Sequence, residues 1–264
     1  MRIKTATITV NYELSGPADG PVVMLSHSLG SNLRMWDPQM AVLEATHRVL
    51  RYDTRGHGAS DVPDGAYTLD ELVSDAVALM DALGIQKAGF VGLSMGGMIG
   101  QGVALQHADR LERLGLCDTS AFMPPEAQPI VQERIDTARK EGLAGLADST
   151  LARWFTPSYL KNKGPGVEMI RSIFLTSPLA GYIGCTEAIR RLNYIDALSR
   201  IRIPTLVMVG ADDPGTPVAA ARAIHERIPG SRLEVIPSAS HLSNIEQAEV
   251  FNRHLVGFLS AAGG

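Results

Sequence analysis

The fold is decided by the stretch Ala88–Gly97, which reads AGFVGLSMGG. It begins with the apolar run Ala88–Leu93, which is typical of a buried strand, and the residues Met98–His107 that follow the turn are compatible with a helix. Between them lies a G-x-S-x-G motif, in which Ser94 is flanked by Gly92 and Gly96. A serine at such a strand-to-helix turn is presented above a parallel sheet, and side chains at the glycine positions would collide with neighbouring backbone. The stretch therefore predicts a nucleophilic Ser94 at the end of a parallel strand.

Similar apolar runs alternate with helical stretches on both sides of this motif. Five of them predict strands: Val22–Ser26, Arg48–Tyr52, Leu111–Cys117, Thr205–Val209 and Arg232–Ile236. Three stretches between and after them predict helices: Leu69–Leu83, Val218–Arg227 and Ala248–Leu259. The first residues, Met1–Val10, alternate as a strand would. Continuous apolar runs separated by helices indicate βαβ units, so we predict an α/β fold with helices on both faces of a mostly parallel sheet.

The interval from residue 120 to residue 200 has a different pattern. Helical periodicity with charged faces recurs there, as in Ile130–Lys140 and Val167–Phe174, and no strand run is found. Prolines at Pro124-Pro125 and in Ile201–Pro204 mark its edges, because proline restricts the residue before it and tends to end helices. We therefore predict one core, formed by residues 1–119 and 201–264, with a helical cap of residues 120–200 inserted in it.

Composition excludes several classes of protein. The chain has 264 residues, 45% of them apolar and 20% charged, which is typical of a globular protein. Its net charge is −4, with no basic face, which argues against a nucleic acid partner. No signal peptide and no apolar run long enough to span a membrane is found, so we expect a cytoplasmic protein without a membrane partner. Cys117 and Cys185 are far apart, without metal spacing, and predict buried thiols. The sequence leaves the oligomeric state open.

Serine becomes an effective nucleophile only when a base takes its proton, and a carboxylate must orient that base. In chain order the acid and then the histidine follow the serine in this kind of fold. Asp213 lies in the loop after the predicted strand Thr205–Val209, and His241 follows the strand Arg232–Ile236. Asp212 is the rival acid. We predict that Ser94, Asp213 and His241 form a catalytic triad.

Two backbone amides are needed to stabilise the oxyanion of the tetrahedral intermediate. The residue after the nucleophile, Met95, supplies one, and the loop Ser26–Gly30 is expected to supply the other through Leu29. The glycine-rich stretch Asp53–Ser60 has neither the lysine nor the spacing of a phosphate-binding loop. We interpret it as a structural turn that braces the strand-to-helix turn at Ser94, which we call the elbow.

With these motifs the chain resembles the 3-oxoadipate enol-lactonases, which are α/β hydrolases of the β-ketoadipate pathway of aromatic breakdown. Five segments of core and cap carry the resemblance: Leu25–Gly30, Arg48–Gly58, Gly92–Gly97, Arg153–Thr156 and His241–Asn244. The elbow and the turn at Arg55-Gly56 are common in the superfamily, whereas the segments Arg153–Thr156 and His241–Asn244 are more specific. His27, where the family more often has asparagine, and Pro214-Gly215 beside the acid depart from the family pattern.

The resemblance implies the α/β-hydrolase fold and a small-molecule substrate, an enol-lactone bearing a carboxylate, which is opened to 3-oxoadipate without a cofactor or a metal. A carboxylated substrate needs a cation in the cap, and guanidinium matches the geometry of a carboxylate. Arg153, beside Trp154, is the candidate for substrate binding, with Arg190 and Arg191 as alternatives. Trp154 also fits simple packing within the cap.

Other functions remain open on the same scaffold. A general carboxylesterase or a cofactor-free perhydrolase would use the same triad, and a C–C bond hydrolase is a more distant possibility. Neutral esters would not require a cation in the pocket. A ligand-sensing receptor with this fold would bind without turnover, and hydrolysis of a generic acyl ester would distinguish it from an enzyme.

Overall fold

Residues 1–261 are described by the computed structural model, and their strands form one eight-stranded sheet with helices on both faces. The strands are β1 (Arg2–Lys4), β2 (Thr9–Ser15), β3 (Val22–Ser26), β4 (Arg48–Tyr52), β5 (Ala88–Leu93), β6 (Leu111–Cys117), β7 (Thr205–Gly210) and β8 (Arg232–Ile236). The α-helices are α1 (Asp37–Leu43), α2 (Leu69–Ala82), α3 (Met95–Gln106), α4 (Gln128–Glu141), α5 (Ala144–Trp154), α6 (Pro157–Lys161), α7 (Val167–Thr176), α8 (Leu179–Ile189), α9 (Val218–Arg227), α10 (Ser243–Glu246) and α11 (Ala248–Leu259).

The order of the strands across the sheet is β1-β2-β4-β3-β5-β6-β7-β8. β2 pairs antiparallel with β1 and β4, and every other neighbouring pair is parallel. The parallel strands end at one edge: Ser26 pairs with Gly92, and Cys117 pairs with both Leu93 and Met208. The loops after β3, β5, β6, β7 and β8 therefore meet at that edge, which is where ligands bind in open α/β sheets.

The core has two parts, one on each face of the sheet. Successive residues of a strand point to opposite faces, so Phe90 packs in the cluster with α2, α3 and α9, and Val91 packs in the cluster with α1 and α11. Both residues are fully buried. This two-sided burial explains why the central strands read as continuous apolar runs, and it confirms the predicted mostly parallel sheet with helices on both faces.

The boundaries of most predicted elements agree with the structure. β3, β4, β5, β6, β8, α9 and α11 have the predicted ends, β7 extends one residue further, and α2 ends one residue earlier. Helix α3 begins at Met95, directly after Ser94, rather than at Met98. An apolar stretch at a tight turn does not show where the first helical turn begins, and such boundaries depend on the cap geometry.

The N-terminal strand prediction was wrong in one respect, since two strands stand where one was expected. The chain bends at Thr5, whose hydroxyl donates to the Ile8 carbonyl at 2.7 Å and accepts the Ile8 amide at 3.2 Å. Such local bonds from a threonine compete with the strand ladder. The residues on either side then pair with each other, as Ile3 with Val10.

Helices α4 to α8 lie between β6 and β7 in the chain, inside the interval 120–200 that the sequence assigns to a cap. Ile170 and Phe174 of α7 belong to the core cluster that contains Val91, whereas Cys185 and Ala188 of α8 belong to the cluster that contains Phe90. The only strand-type contact of this interval among residues 1–261 is an isolated bridge between Phe122 and Asn193. The inserted helices thus cover the sheet edge at which the loops meet.

Three further features of residues 1–261 bear on function. No helix in this part of the chain is long and apolar enough to cross a membrane. No group of three or more histidine, cysteine, aspartate or glutamate side chains there could hold a metal ion. Cys117 and Cys185 are free and buried, and burial raises the pKa of both thiols. They are therefore poor candidates for nucleophiles.

Candidate active site

Ser94 stands at the turn between β5 and α3, with φ 57° and ψ −116°. A positive φ is unusual for a residue with a side chain, and the surrounding backbone holds it in place. The Ser94 amide donates to the Cys117 carbonyl at 2.9 Å, and the Thr119 hydroxyl donates to the Ser94 carbonyl at 2.7 Å. A Cβ added at Gly92 would lie 2.1 Å from the Gly96 carbonyl oxygen, which explains the glycine. The turn presents Ser94 at the edge of the sheet.

The acid and the base meet at the same edge. Nδ1 of His241 lies 2.8 Å from Oδ2 of Asp213, although the two residues come from the loops after β8 and β7. With Nδ1 donating to the carboxylate, Nε2 keeps the lone pair that a general base needs. The predicted base and acid are thus brought together.

The Asp213 carboxylate is buried and fully hydrogen-bonded. It accepts from the Gly215 amide at 2.8 Å, from the Thr216 amide at 3.0 Å and from the Thr216 hydroxyl at 2.6 Å. Burial alone would raise its pKa, but the neighbouring His241 and the bonds from His241 and Thr216 lower it to about 2. Asp213 is therefore ionised at neutral pH. The rival, Asp212, has an exposed side chain and lines a separate surface cavity.

Ser94 and His241 line one cavity of about 160 Å³. The Ser94 hydroxyl makes no hydrogen bond within residues 1–261, and its bond to the histidine is not formed in this structure. Catalytic hydrogen bonds are often long without substrate and tighten when it binds. The placement of both side chains on one cavity is compatible with attack by Ser94 on a bound carbonyl.

Two amides near Ser94 are free to donate. Neither the Met95 nor the Leu29 amide donates to another atom of the part of the chain that the structure describes, and Leu29 lines the cavity beside Ser94. Met95 begins helix α3, whose first amides have no partner within the helix. The two predicted oxyanion donors are thus both available at this edge of the sheet.

Two buried histidines fix the backbone around the Leu29 amide. Nε2 of His57 accepts the Gly30 amide at 2.9 Å, and Nε2 of His27 accepts the Thr54 amide at 2.9 Å. Burial lowers the pKa of His27 to about 4 and that of His57 to about 3, so both rings are neutral at neutral pH and can accept. The turn that carries His57 was interpreted as a brace for the elbow. The bond from the Gly30 amide to His57 instead joins this turn to the loop Ser26–Gly30.

Another buried carboxyl connects the loops that carry Asp213 and His241. Asp118 follows β6 and is fully buried; its carboxyl accepts the Gly210 amide at 2.7 Å and contacts the Ser243 hydroxyl at 2.5 Å. Burial first, and then the charge of Asp213, raise the pKa of Asp118 well above its ordinary value. This residue was not among those predicted from the sequence. Its position at the end of a parallel strand was the available signal.

Two arginines give the cavity its positive charge. Arg153 of α5 lines the cavity, and its buried Nε has no hydrogen-bond partner. Arg134 of α4 lines it too and donates to the Thr150 hydroxyl at 3.1 Å and the Tyr182 hydroxyl at 2.9 Å. Neither guanidinium is paired with a carboxylate within residues 1–261. Burial, and then the charge of Arg134, lower the pKa of Arg153, as expected for two cations placed close together without an acid.

The other side chains proposed as substrate contacts differ in whether they line the cavity. Arg190 is bound to Glu187 at 3.2 Å and lies outside the cavity, and Arg191 lines a different surface pocket. These two alternatives were therefore wrong. Trp154 lines the cavity and is 4% exposed, with its ring packed edge-on against Phe174 at 5.6 Å. It contributes an apolar wall and at the same time packs the inserted helices.

Sequence reasoning missed Arg134, Tyr182 and Thr216 as cavity residues. Arg134 belongs to a helix with charged residues on several sides, so its pattern resembles a solvated face. Only the packing of α4 on α8 and α5 shows that this arginine points inward. Thr216 follows the predicted acid by three residues, and a hydroxyl at that spacing was the signal for a carboxylate partner.

Comparison with known proteins places the chain among hydrolases. Residues 22–254 match the model of the alpha/beta hydrolase family. The chain is 41% identical over 245 residues to 3-oxoadipate enol-lactonase 2 of Acinetobacter baylyi, covering 93% of this chain and 91% of that protein.

Solved structures give the same result. The enol-lactonase from Burkholderia xenovorans LB400 superposes with a TM-score of 0.95 at 40% identity, over 99% of this chain and all of that chain. A thermophilic esterase from Thermogutta terrifontis, solved with malate bound, superposes with a TM-score of 0.91 at 32% identity, over 98% of this chain and 97% of that one.

Proposed function

Since this chain belongs to the alpha/beta hydrolase family, we propose that it is a serine hydrolase that opens a small carboxylated enol-lactone, of the kind of 3-oxoadipate enol-lactone. The observation that supports this substrate is the unpaired guanidinium of Arg153 in the cavity that Ser94 and His241 line. The similarity to enol-lactonases at 36% and 41% identity points to the same chemistry.

The reaction begins with attack by Ser94 Oγ on the lactone carbonyl while Nε2 of His241 takes the hydroxyl proton. The carbonyl oxygen becomes an oxyanion that the Leu29 and Met95 amides stabilise. Asp213 stays ionised and stabilises the imidazolium that forms. Positive charge on His241 is thereby balanced by a carboxylate that is already held by Thr216 and Gly215.

Collapse of the tetrahedral intermediate breaks the bond between the carbonyl carbon and the ring oxygen. The ring oxygen leaves as an enolate, which the protonated His241 converts to the enol, and the enol later tautomerises to the ketone. Because the leaving group is part of the same molecule, the acyl-enzyme contains the whole substrate. A water activated by His241 then attacks the ester to Ser94 and releases the acid, so that one lactone and one water give 3-oxoadipate, a step of the β-ketoadipate pathway.

The substrate carboxylate would bind Arg153 in the cavity that Ser94 and His241 line. A buried cation with no acidic partner loses hydration without an offsetting charge, and an incoming carboxylate supplies that charge together with hydrogen bonds to the guanidinium. Arg134 adds a second positive charge and is itself oriented by Thr150 and Tyr182. A neutral ester would gain nothing from this arrangement.

The test compares hydrolysis of 3-oxoadipate enol-lactone with hydrolysis of p-nitrophenyl acetate by wild-type protein and by Arg153→Ala. A hydrogen bond to a charged group contributes about 1.5–3 kcal/mol, so kcat/KM for the lactone should fall about 10- to 150-fold, while the neutral ester changes little. Arg191→Ala is the matched control, because Arg191 is an exposed arginine of the same inserted segment and lies outside the cavity.

Two results would contradict the proposal in different ways. If wild type hydrolyses only the neutral ester, the triad stands but the substrate is another one. If Arg153→Ala and Arg191→Ala affect the lactone equally, the carboxylate does not bind at Arg153. Turnover of either substrate would exclude a receptor that binds without catalysis.

A further inference from the structure

The cavity at Ser94 adjoins a larger groove that the lactone does not need. The groove has a volume of about 690 Å³, against about 160 Å³ for the catalytic cavity. Seven residues line both, so the two spaces adjoin each other: Met98, Met123, Val131, Arg134, Arg153, Gly215 and Thr216. We call this space the apolar groove; it lies between segment 120–131 on one side and segment 214–227 on the other.

The lining of the apolar groove is suited to a hydrocarbon chain. Aliphatic, aromatic and methionine side chains dominate it, and two of its residues, Phe122 and Ile130, are 39% and 59% exposed. Exposed large apolar side chains that stand together at the mouth of a site indicate a surface that apolar ligand covers. Met98 and Met123 lie where the groove joins the cavity, and methionine adapts to ligands of varied shape.

Helix α9 leaves room along the other wall of the groove. Ala220 and Ala223 both line it, three residues apart on one face of the helix, and their small side chains keep the space open. The charged residues of the lining are all arginines: Arg134, Arg153 and Arg227. The lining therefore has no carboxylate that would repel the acid released when an ester is hydrolysed. Ala219, on the same helix, is exposed and does not line the groove.

We propose that the apolar groove binds an unbranched alkyl chain of an ester whose carbonyl lies at Ser94, so that the protein also hydrolyses medium-chain carboxylic esters. This inference rests on the serine hydrolase machinery of the proposed function but not on its lactone substrate. Ser94 forms an ester with the acyl group, and the alcohol leaves with the proton that His241 carries. Water then releases the acid, so that one ester and one water give one acid and one alcohol.

The experiment measures kcat/KM over two series of esters. One series is p-nitrophenyl acetate, butyrate, hexanoate and octanoate, which places the chain on the acyl side; the other is ethyl, butyl, hexyl and octyl acetate, which places it on the alcohol side. Burying a methylene contributes a factor of about four, and an open groove buries it in part, so we expect a rise of about two- to fourfold per methylene in one of the series.

Ala220→Phe should remove this rise by filling the groove while leaving hydrolysis of the acetates at the wild-type rate. Ala219→Phe is the matched control and should keep the rise, since it adds the same side chain to the same helix outside the groove. Ala223→Phe repeats the test at a second lining position, in case the first variant does not fold.

The outcomes distinguish a failure of the groove proposal from a failure of the proposed catalytic triad. If kcat/KM is independent of chain length in both series while the acetates are hydrolysed, the groove proposal is wrong and the catalytic assignment stands. The groove proposal also fails if Ala219→Phe removes the rise of kcat/KM with chain length as completely as Ala220→Phe or Ala223→Phe does. If Ser94→Ala retains acetate hydrolysis, the proposed function itself fails.

Discussion

Replacement of His57 by alanine tests whether the oxyanion loop is held by its buried histidines. The ring is fully buried and accepts the Gly30 amide at 2.9 Å, next to the proposed donor Leu29. Loss of the acceptor leaves a buried amide without a partner, which costs about 1–3 kcal/mol. Complete loss of one oxyanion donor lowers the rate about 10²- to 10³-fold, and a loop that is only loosened should lose less. We expect kcat to fall about 10- to 100-fold.

The effect of His57→Ala should be the same for both substrates but different for kcat and KM. Because the oxyanion forms only during the reaction, kcat should fall for the lactone and for p-nitrophenyl acetate alike, with KM changed by less than about threefold. His57→Gln is the control, since its side-chain oxygen can accept the Gly30 amide, and it should regain most of the activity. If His57→Ala keeps kcat within twofold of wild type, the loop does not depend on this histidine and the reasoning is refuted.

The same histidine should also make the protein sensitive to acid. The pKa of His57 is lowered by burial to about 3, whereas a histidine in the unfolded chain titrates near 6.5. Below pH 6.5 the unfolded chain therefore binds a proton that the folded chain does not, and stability is lost as the pH falls towards 3. One pKa unit corresponds to about 1.4 kcal/mol, so the loss from His57 amounts to about 5 kcal/mol over this range. His57→Gln should show a shallower fall of Tm between pH 7 and pH 4, and parallel curves would contradict this.

Three other predictions follow from named contacts. Asp213→Asn should lower kcat for the lactone about 10³- to 10⁴-fold, because the amide no longer fixes the tautomer of His241; a loss below tenfold would point to another acid. Asp118→Asn should keep kcat within about threefold, because burial and the charge of Asp213 raise the pKa of this carboxyl and a neutral amide of the same shape replaces it, whereas Asp118→Ala should lower Tm by about 4–8 °C by leaving buried groups unpaired; equal melting curves would contradict this. Gly96→Ala should reduce both activity and Tm, since its Cβ would lie 2.1 Å from the Ser26 carbonyl oxygen, and wild-type melting by circular dichroism would contradict this.

Most of the fold was predictable because its signals are local. Buried parallel strands read as continuous apolar runs, and the turn at Ser94 needs glycines whose spacing is visible in the sequence. The loops that carry the predicted acid Asp213 and the predicted base His241 could be found by counting strands, because this kind of fold places the acid and then the base after the last strands. The bend at Thr5 was missed because alternating residues look the same in one strand as in two.

The parts of the site that were missed depend on contacts between distant residues. Asp118 meets Ser243, which lies 125 residues further along the chain, and nothing in either segment alone indicates the contact. Arg134 and Arg153 stand on different helices, and only their packing turns two apparently solvated arginines into the charge of one cavity. The apolar groove likewise forms between residues near 130 and residues near 220, which no local pattern connects.

The most direct test of the central claim is mass spectrometry of the protein after rapid acid quench of its reaction with 3-oxoadipate enol-lactone. Because ring opening keeps the leaving group attached, we predict a covalent adduct with the mass of protein plus one intact lactone, located on the peptide that contains Ser94 and absent from Ser94→Ala. Hydrolysis of the lactone by Ser94→Ala at the wild-type rate, with no adduct on the wild-type protein, would contradict the account.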